Sequence, residues 1–139
     1  MLSPDLRSLK LILFKLLLIF VLSCNRPQTL KKNIEYFNSS EHLANDYPFS
    51  EATIVNDIIY MSGQIGTSEN DEVVGGGIEA ETLQALENIE SILKRMGGSK
   101  SDIFKCTCML KDISDWPSMS KAYKSFFEGS MLPSRSAFA

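Results

Sequence analysis

Arg135 is the residue whose type and surroundings point most directly to chemistry. It lies near the end of the 139-residue chain in the segment Leu132–Ala139, LPSRSAFA, where a proline and a serine precede it and an alternating apolar run follows. This pattern predicts a turn that leads into a β-strand with the guanidinium near its start. Because a guanidinium can bind a carboxylate through two parallel hydrogen bonds, Arg135 is a candidate for binding a small carboxylate ligand.

A second candidate segment is Ile58–Gly66, IIYMSGQIG. Its β-branched and aromatic residues predict a strand that ends near Ser62 and Gly63. A glycine at this point lets the backbone approach a ligand closely, although glycine is equally typical of an ordinary strand end. Ser62 and Gly63 are therefore candidate binding residues, and both interpretations of the glycine stay open.

Other reactive residue types give weaker signals. His42 is the only histidine and lies in the polar segment Ser39–Pro48, where we expect a solvated loop. No motif pairs it with a serine or cysteine nucleophile, so the pattern does not support a hydrolytic triad. Cys106 and Cys108 are two residues apart, which is the wrong spacing for a redox pair and a poor one for a metal. We expect buried thiols there and predict no metal site.

The composition is that of one globular domain. Hydrophobic residues make up 44% of the chain, charged residues make up 22%, and the formal net charge is −3. These values are ordinary for a globular protein of this length. No basic stripe, zinc-ligand set or alternation of aromatic and basic residues points to nucleic acid, so no nucleic-acid partner is predicted.

Hydrophobic periodicity predicts two helices separated by strands. Apolar residues at spacings of three and four predict a helix over Ile78–Met96, which a pair of glycines ends. Ser114 or Asp115 can cap a second helix that ends at Gly129. The other predicted elements are strands over Lys32–Asn38, Glu51–Val55, Ile58–Gln64, Asp102–Leu110 and the segment after Pro133, with Asn56 and Asp57 as a hairpin loop between the second and third.

This order of elements predicts an α+β domain, in which one sheet carries two helices on a single face. The opposite face of such a sheet has no cover within the chain. Small domains with an uncovered apolar sheet face usually hide it by associating with further copies. The pattern therefore predicts an oligomer.

The first 23 residues differ in kind from the rest. Three basic residues and one acidic residue precede the apolar run Leu16–Leu22, and Ser23 and Cys24 follow it. A basic start, a short apolar run and small residues at a cleavage point are typical of an export signal, which predicts a signal peptide over 1–23. The apolar run is short for a membrane span.

The segment Val21–Cys24 is similar to a bacterial lipobox, in which the cysteine becomes the lipidated first residue of the mature protein. This similarity implies an exported, membrane-anchored bacterial lipoprotein on the periplasmic or cell-surface side, with residues 24–32 as a polar tether. Two alternatives stay open, a plain membrane anchor and a start codon assigned too far upstream.

Taken together, several motifs resemble the RidA (YjgF) family. They include SGQ at Ser62–Gln64, QALENI at Gln84–Ile89 and PSRS at Pro133–Ser136, and the likeness covers 33–139. The resemblance implies a chorismate-mutase-like fold with a single mixed sheet and a homotrimer with ligand pockets between subunits. It also implies hydrolysis of reactive enamines and imines, such as 2-aminoacrylate, to 2-oxo acids and ammonia without a metal or organic cofactor.

The resemblance assigns roles to particular residues. Arg135 matches the family's carboxylate-binding arginine, and Ser62 and Gly63 match its pocket strand. Phe49 stands where active members commonly carry a tyrosine, so the ring is kept and the hydroxyl is lost. Ser120 stands where a pocket asparagine is found. These five residues are the implied substrate-binding set, with Arg135 also expected to take part in catalysis.

Two further departures bear on activity. Ala137 stands where a cysteine is found in the family, and the family's last strand carries a glutamate that positions the attacking water. The resemblance implies that this strand would follow Ala139, so that 33–139 is a RidA-like domain whose last strand is missing. The alternative function is therefore a non-catalytic, anchored trimer that binds a small carboxylate or a protein partner.

We predict that replacing Cys24 with alanine moves the protein from the membrane fraction to the soluble fraction, because the cysteine thiol is the atom that would carry the lipid. Membrane and soluble fractions separated from expressing cells would be compared by immunoblotting. Wild-type protein that is already soluble, with translation beginning near Lys31, would contradict the prediction.

Overall fold

The structure is a computed structural model that describes residues 33–139 and Lys15. The predicted signal peptide, the lipidation site Cys24 and the tether therefore lie outside the described residues, apart from Lys15. The chain divides into the units Met1–Lys32 and Asn33–Ala139, and only the second is described below. No helix among the described residues has both the length and the apolarity that a membrane crossing requires.

Three antiparallel strands form the first sheet. They are β1 (Ile34–Phe37), β2 (Ala52–Val55) and β3 (Ile58–Met61), which lie in this order across the sheet. The predicted hairpin between β2 and β3 is confirmed. Asn56 in its loop has φ = 55°, a left-handed conformation that asparagine tolerates better than most residues.

The segment between β1 and β2 corrects one expectation. A solvated loop was predicted around His42, but Ser40–Ala44 forms a short helix, α1, capped by the Ser39 hydroxyl, and His42 is buried. The His42 Nε2 atom is hydrogen-bonded to the carbonyl oxygen of Phe49, and its ring packs against the rings of Tyr47 and Phe49. The burial depends on these contacts, which a local pattern does not show.

The longest helix, α2, spans Ile78–Arg95 and confirms the predicted helix to within one residue. Its buried residues are Leu86, Ile92 and Leu93, which lie on the predicted apolar stripe or beside it. The backbone reverses after the helix at Gly97, which has φ = 84°. A glycine adopts this left-handed conformation without the steric penalty of a side chain.

The second half of the domain is a parallel strand pair with a crossover helix. Strand β4 (Lys105–Met109) is followed by α3 (Trp116–Phe126) and then by β5 (Ser134–Phe138), which pairs with β4. Pro117 lies in the first turn of α3, where its missing amide proton costs no helical hydrogen bond. The predicted helix and both strands are confirmed, but the helix ends at Phe126 rather than at Gly129, and the Asp115 side chain at its N-cap makes no capping hydrogen bond.

The core lies between α2, α3 and the inner face of β4 and β5. Its most buried cluster consists of Leu86, Met119, Tyr123 and Phe127. Partly buried residues of the two strands pack against this cluster, namely Cys106, Cys108 and Ala137. Cys106 and Cys108 carry free thiols, as expected, but both are partly rather than fully buried. The predicted α+β class, with two main helices packed on strands, is confirmed.

The strands fall into two groups in the part of the chain that the structure describes. Strand β3 pairs only with β2, and β4 pairs only with β5, so each has an edge without a strand partner. Both edges line a groove of about 910 Å³ whose walls include residues of α2 and α3. The expectation of a further family strand beyond Ala139 stays a prediction.

An ion pair links Glu51, the residue before β2, to Arg95, the last residue of α2. The Glu51 carboxylate accepts hydrogen bonds from the Ser39 amide and from Arg95 Nη2, the latter at 2.8 Å. Burial raises the pKa of Glu51, but the hydrogen bonds from Ser39 and the positive charge of Arg95, with a smaller electrostatic contribution from His42, outweigh burial and hold the pKa below its usual value of 4.5. The folded state therefore favours the ionised carboxylate.

We predict that Glu51 makes folding pH-dependent in acid. Its stabilising contribution is complete above the pKa of about 4.5 that it has when unfolded, and it is lost as pH falls through the lower pKa of the folded state. Glu51→Gln should therefore lower the melting temperature at neutral pH. It should also reduce the further drop in melting temperature that wild type shows in acid. Thermal melts from neutral pH to below 4.5 would test this. Glu87→Gln, at an exposed position of α2, is the control and should leave the drop in melting temperature in acid unchanged.

Candidate functional site

The Arg135 side chain lies under α3 and contacts four of its residues. Its Nη2 atom donates a 2.9 Å hydrogen bond to the Ser120 hydroxyl, and its Nη1 atom lies 3.5 Å from the Met119 sulfur. The guanidinium carbon is 4.8 Å from the centre of the Tyr123 ring and 5.4 Å from that of Trp116. The structure therefore brings together two predicted site residues, Arg135 and Ser120.

Local geometry explains this grouping. Trp116, Ser120 and Tyr123 are spaced by four and three residues, so they lie on one side of α3. Strand β5 pairs with β4 so that Arg135 lies opposite Cys106, and alternation along the strand directs both toward the helices. Ala137, two residues on, faces the same way and packs on the core.

The groups around Arg135 are uncharged at neutral pH. Burial raises the pKa of the Tyr123 phenol, and the Cys106 thiol raises it further. Burial also raises the pKa of the Cys108 thiol, which the charge of Arg135 offsets only in part. Both groups keep their protons, so no anion from this cluster neutralises the guanidinium. Within residues 33–139 the Tyr123 hydroxyl is buried without a hydrogen-bond partner of ordinary geometry.

A second group of predicted residues gathers at the end of β3. The Ser62 amide donates to the carbonyl oxygen of Glu51 at 2.9 Å, and the Ser62 hydroxyl donates to the carbonyl oxygen of Ser50 at 2.6 Å. These bonds hold the stretch that contains Phe49 against the strand end. The Phe49 ring is 51% exposed and stacks on Tyr47, with 5.6 Å between ring centres.

Gly63 lies at an open position beside these residues. A β-carbon built on it would meet no atom within 4 Å, so its backbone is accessible. Gly63 and Phe49 line a mostly polar cavity of about 1080 Å³, whose wall also includes His42, Asn88 and Arg95. The backbone at Gly63 is therefore open to a small molecule, and a binding role for this glycine stays a prediction.

The two groups remain separate within the described chain. Neither Arg135 nor Ser120 lines the cavity that contains Phe49 and Gly63, and neither lines the groove between β3 and β4. The structure thus places Arg135 with Ser120, and Phe49 with Ser62 and Gly63, but it does not join the two sets in one cavity.

Several residues around these groups were not predicted as site residues. Trp116 and Tyr123 flank the guanidinium, and their helical spacing from Ser120 was a signal that could have identified them. Glu51 and Arg95 stand beside the second group, and they are 44 residues apart in the chain. No local pattern reports a contact over that separation.

Known proteins resemble this chain in sequence. The family model described as Endoribonuclease L-PSP matches residues 39–139. A curated relative from Mus musculus, named 2-iminobutanoate/2-iminopropanoate deaminase, is 39% identical over 92 residues, which are 66% of this chain and 67% of the relative. The chain thus spans about two thirds of the length of this relative.

Solved structures show the same fold. A Rid-family protein of unknown function from Yersinia pestis, YyfA, aligns with a TM-score of 0.68 and 29% identity over 76% of this chain and 85% of that one. TdcF from E. coli, solved with bound serine, aligns with a TM-score of 0.62 and 26% identity over 66% and 74% of the two chains. The family match covers most of the chain, and we conclude that this protein belongs to the RidA/YjgF family.

Proposed function

We propose that the protein hydrolyses small, reactive enamines and imines that carry a carboxylate, of the 2-aminoacrylate type, to 2-oxo acids and ammonia. The observation that carries this proposal is the Arg135 guanidinium, which has only uncharged partners around it. Two comparisons support the substrate class. A curated relative is named for deamination of imino acids, and a solved neighbour holds serine, a small molecule with a carboxylate.

Arg135 acts first as a carboxylate clamp. Its bond to Ser120 occupies one hydrogen of Nη2, and the guanidinium has further N–H groups for a two-pronged contact with a substrate carboxylate. The rings of Tyr123 and Trp116 limit how much water surrounds the charge, and this strengthens an ion contact. The clamp therefore fixes one end of the substrate and orients the imine carbon.

The chemical step needs only one water molecule besides the substrate. An enamine first becomes an imine when a proton moves from its nitrogen to its terminal carbon. The water oxygen then bonds to the imine carbon while one water proton moves to the nitrogen, which gives a carbinolamine. The hydroxyl proton of the carbinolamine moves to the nitrogen as the carbon–nitrogen bond breaks, and this releases ammonia and leaves a carbonyl group. Positioning and proton transfer suffice for such a reaction. In this proposal Ser62 and Gly63 lie next to the reacting carbon and limit where it can be placed.

A nucleic-acid substrate is not favoured, although the family model is described as an endoribonuclease. The formal net charge of the chain is −3, whereas binding to phosphate backbones depends on basic surfaces. The non-catalytic alternative is also less favoured. Phe49 keeps an exposed aromatic ring at the position of the family's tyrosine. The Ser120 hydroxyl accepts a hydrogen bond from Arg135 at the position of the family's asparagine. One departure therefore keeps the ring, and the other keeps a contact with the arginine.

We further propose that the protein is a homotrimer with its sites between subunits. Register places Tyr36, Thr53 and Tyr60 side by side on one face of the first sheet, and Tyr36 is 69% exposed. On the second strand pair Met109 lies beside Phe138, and Met109 is also 69% exposed. Burying such faces against further copies is favourable. A neighbouring copy could then bring its Arg135 to the cavity that contains Phe49 and Gly63.

The predicted N-terminal signal suggests where the protein works. We propose that the trimer is exported and held at a membrane by the lipid on Cys24, with residues 24–32 as the tether. Each trimer would carry three lipidated cysteines, and stable membrane anchoring generally needs two such membrane-binding signals.

We predict that Arg135→Ala abolishes imine hydrolysis and weakens pyruvate binding by about 10- to 100-fold, because a charge-assisted contact is worth about 1.5–3 kcal/mol. Arg135→Lys should not restore activity, since a lysine keeps the charge but lacks the planar fork. Hydrolysis would be followed as loss of 2-aminoacrylate generated by a lyase. Binding of pyruvate, the simplest 2-oxo acid, would be followed by fluorescence of Trp116, the only tryptophan.

Ser136→Ala is the matched control for Arg135, because Ser136 is the next residue on β5 and is exposed. It should change neither measurement by more than about twofold. Wild type that binds pyruvate through Arg135 but does not accelerate hydrolysis would support the binding-module alternative. Full activity in Arg135→Ala would exclude both roles for this arginine.

We predict that two inactive variants restore activity to each other. Gly63→Val should block the cavity but fold, since a β-carbon at Gly63 meets no neighbour. Mixed trimers formed by refolding Gly63→Val together with Arg135→Ala should regain about a quarter of wild-type activity, the share of interfaces at which both intact halves meet by chance. Light scattering would establish the trimer. Trimers that mix without regaining activity would show that the site does not lie between subunits.

A further inference from the structure

We propose that the ion pair between Glu51 and Arg95 positions the Phe49–Gly63 half of the site for the reaction. This inference rests on the proposed function for its catalytic consequence. The two residues do not contact the substrate in this proposal. They act through the stretch that carries Phe49 and through the end of β3, so they are positioning residues.

The Glu51 carboxylate uses its two oxygens for two different segments. Oε1 accepts from Arg95 Nη2 at 2.8 Å, and Oε2 accepts from the amide of Ser39, the residue that caps α1. The carboxylate side chain is only 9% exposed, and it joins the last residue of α2 to the N-cap residue of α1. Because both carboxylate oxygens accept hydrogen bonds and are nearly inaccessible to solvent, the position of Glu51 is strongly restricted.

The backbone of Glu51 transmits this restriction to the site. Its amide donates to Asn38 Oδ1 at 3.0 Å, and its carbonyl oxygen accepts from the Ser62 amide at 2.9 Å. Gly63 follows Ser62 directly, and Phe49 lies two residues before Glu51. A shift of Glu51 would therefore move Phe49 relative to Gly63, and both of these residues line the same cavity.

The pair lies apart from the main core, so its effect on the site can be separated from its effect on the whole fold. The core cluster consists of Leu86, Met119, Tyr123 and Phe127. The Arg95 side chain, by contrast, is 42% exposed and lines the cavity beside Gly63. Removing Arg95 leaves Glu51 with the Ser39 amide alone, which should loosen the segment without opening the core.

The chain offers a matched control one residue away. Lys94 also lies in the last turn of α2 and forms an ion pair, at 3.3 Å with Glu90 on the same helix. That pair does not reach the Phe49 stretch. Arg95→Met and Lys94→Met therefore remove one cation each from the same helix end, and only the first disconnects Glu51 from α2.

The experiment compares these variants in the full chain. Arg95→Met should reduce the acceleration of 2-aminoacrylate hydrolysis about tenfold, less than the roughly 100-fold cost of misplacing reacting groups by about 1 Å. The dissociation constant of pyruvate, read from Trp116 fluorescence, should stay within about twofold, because Arg135 still holds the carboxylate. Arg95→Lys should recover part of the loss, and Lys94→Met should match wild type.

Amide hydrogen exchange gives a readout that does not depend on activity. Exchange at the Glu51 and Ser62 amides should be faster in Arg95→Met than in wild type and unchanged in Lys94→Met. Unchanged exchange at these amides, or an equal loss of activity in Lys94→Met, would overturn the proposal. Loss of pyruvate binding together with a general rise in exchange throughout the core would also overturn it, because the pair would then be merely structural.

The two proposals can fail separately. If wild type does not accelerate hydrolysis at all, the proposed function fails, and the exchange comparison alone decides whether the pair positions the segment. If wild type is active and Arg95→Met keeps full activity, the positioning role fails while the proposed function stands.

Discussion

The parallel pairing of β5 with β4 is the constraint on which the Arg135 cluster depends. It sets Arg135 opposite Cys106, on the face that packs against α3. The Ser134 amide, which donates to the carbonyl oxygen of Phe104 at 3.0 Å, fixes the start of this pairing. Because side chains alternate along a strand, a slip of one residue would turn the guanidinium to the opposite face and remove its contacts with the helix.

Two arginines of the domain illustrate how partners decide what a cation can do. Arg95 has a carboxylate partner in Glu51, so its charge is already balanced. Arg135 has a hydroxyl, a sulfur and two aromatic faces, and these leave its charge unbalanced. A partly buried cation without an anionic partner favours an anion from outside the chain. Arg135 is therefore the better ligand-binding arginine of the two.

The residues that depart from the family pattern implied by the resemblance differ in the contacts that they keep. Ser120 still presents an oxygen to Arg135, although a hydroxyl offers fewer hydrogen-bonding groups than an amide. Phe49 keeps a stacked ring but supplies no hydroxyl to a ligand. Ala137, at the position where the resemblance implies a cysteine, packs on the core as a small apolar residue. In the proposed site these departures therefore preserve shape more than polar groups.

Local patterns were sufficient for most of the fold. Helix α2 was predictable because an 18-residue element repeats its apolar spacing many times, and the hairpin at Asn56 was predictable from turn chemistry. Arg135 could be identified as a candidate from a proline, two serines and an alternating run. The five-residue helix α1 could not be predicted, because it is too short to show a helical period.

The sequence by itself determined which residues could bind a carboxylate, because a guanidinium has the same donors in any fold. Only the tertiary structure decided which of them meet. Ser120 and Arg135 are 15 residues apart, and Glu51 and Arg95 are 44 apart, so both contacts exist only after helices pack on strands. The burial of His42 has the same origin, since the Phe49 carbonyl and the neighbouring rings remove it from water. Periodicity reports the face on which a side chain lies, whereas its partner depends on how the elements pack.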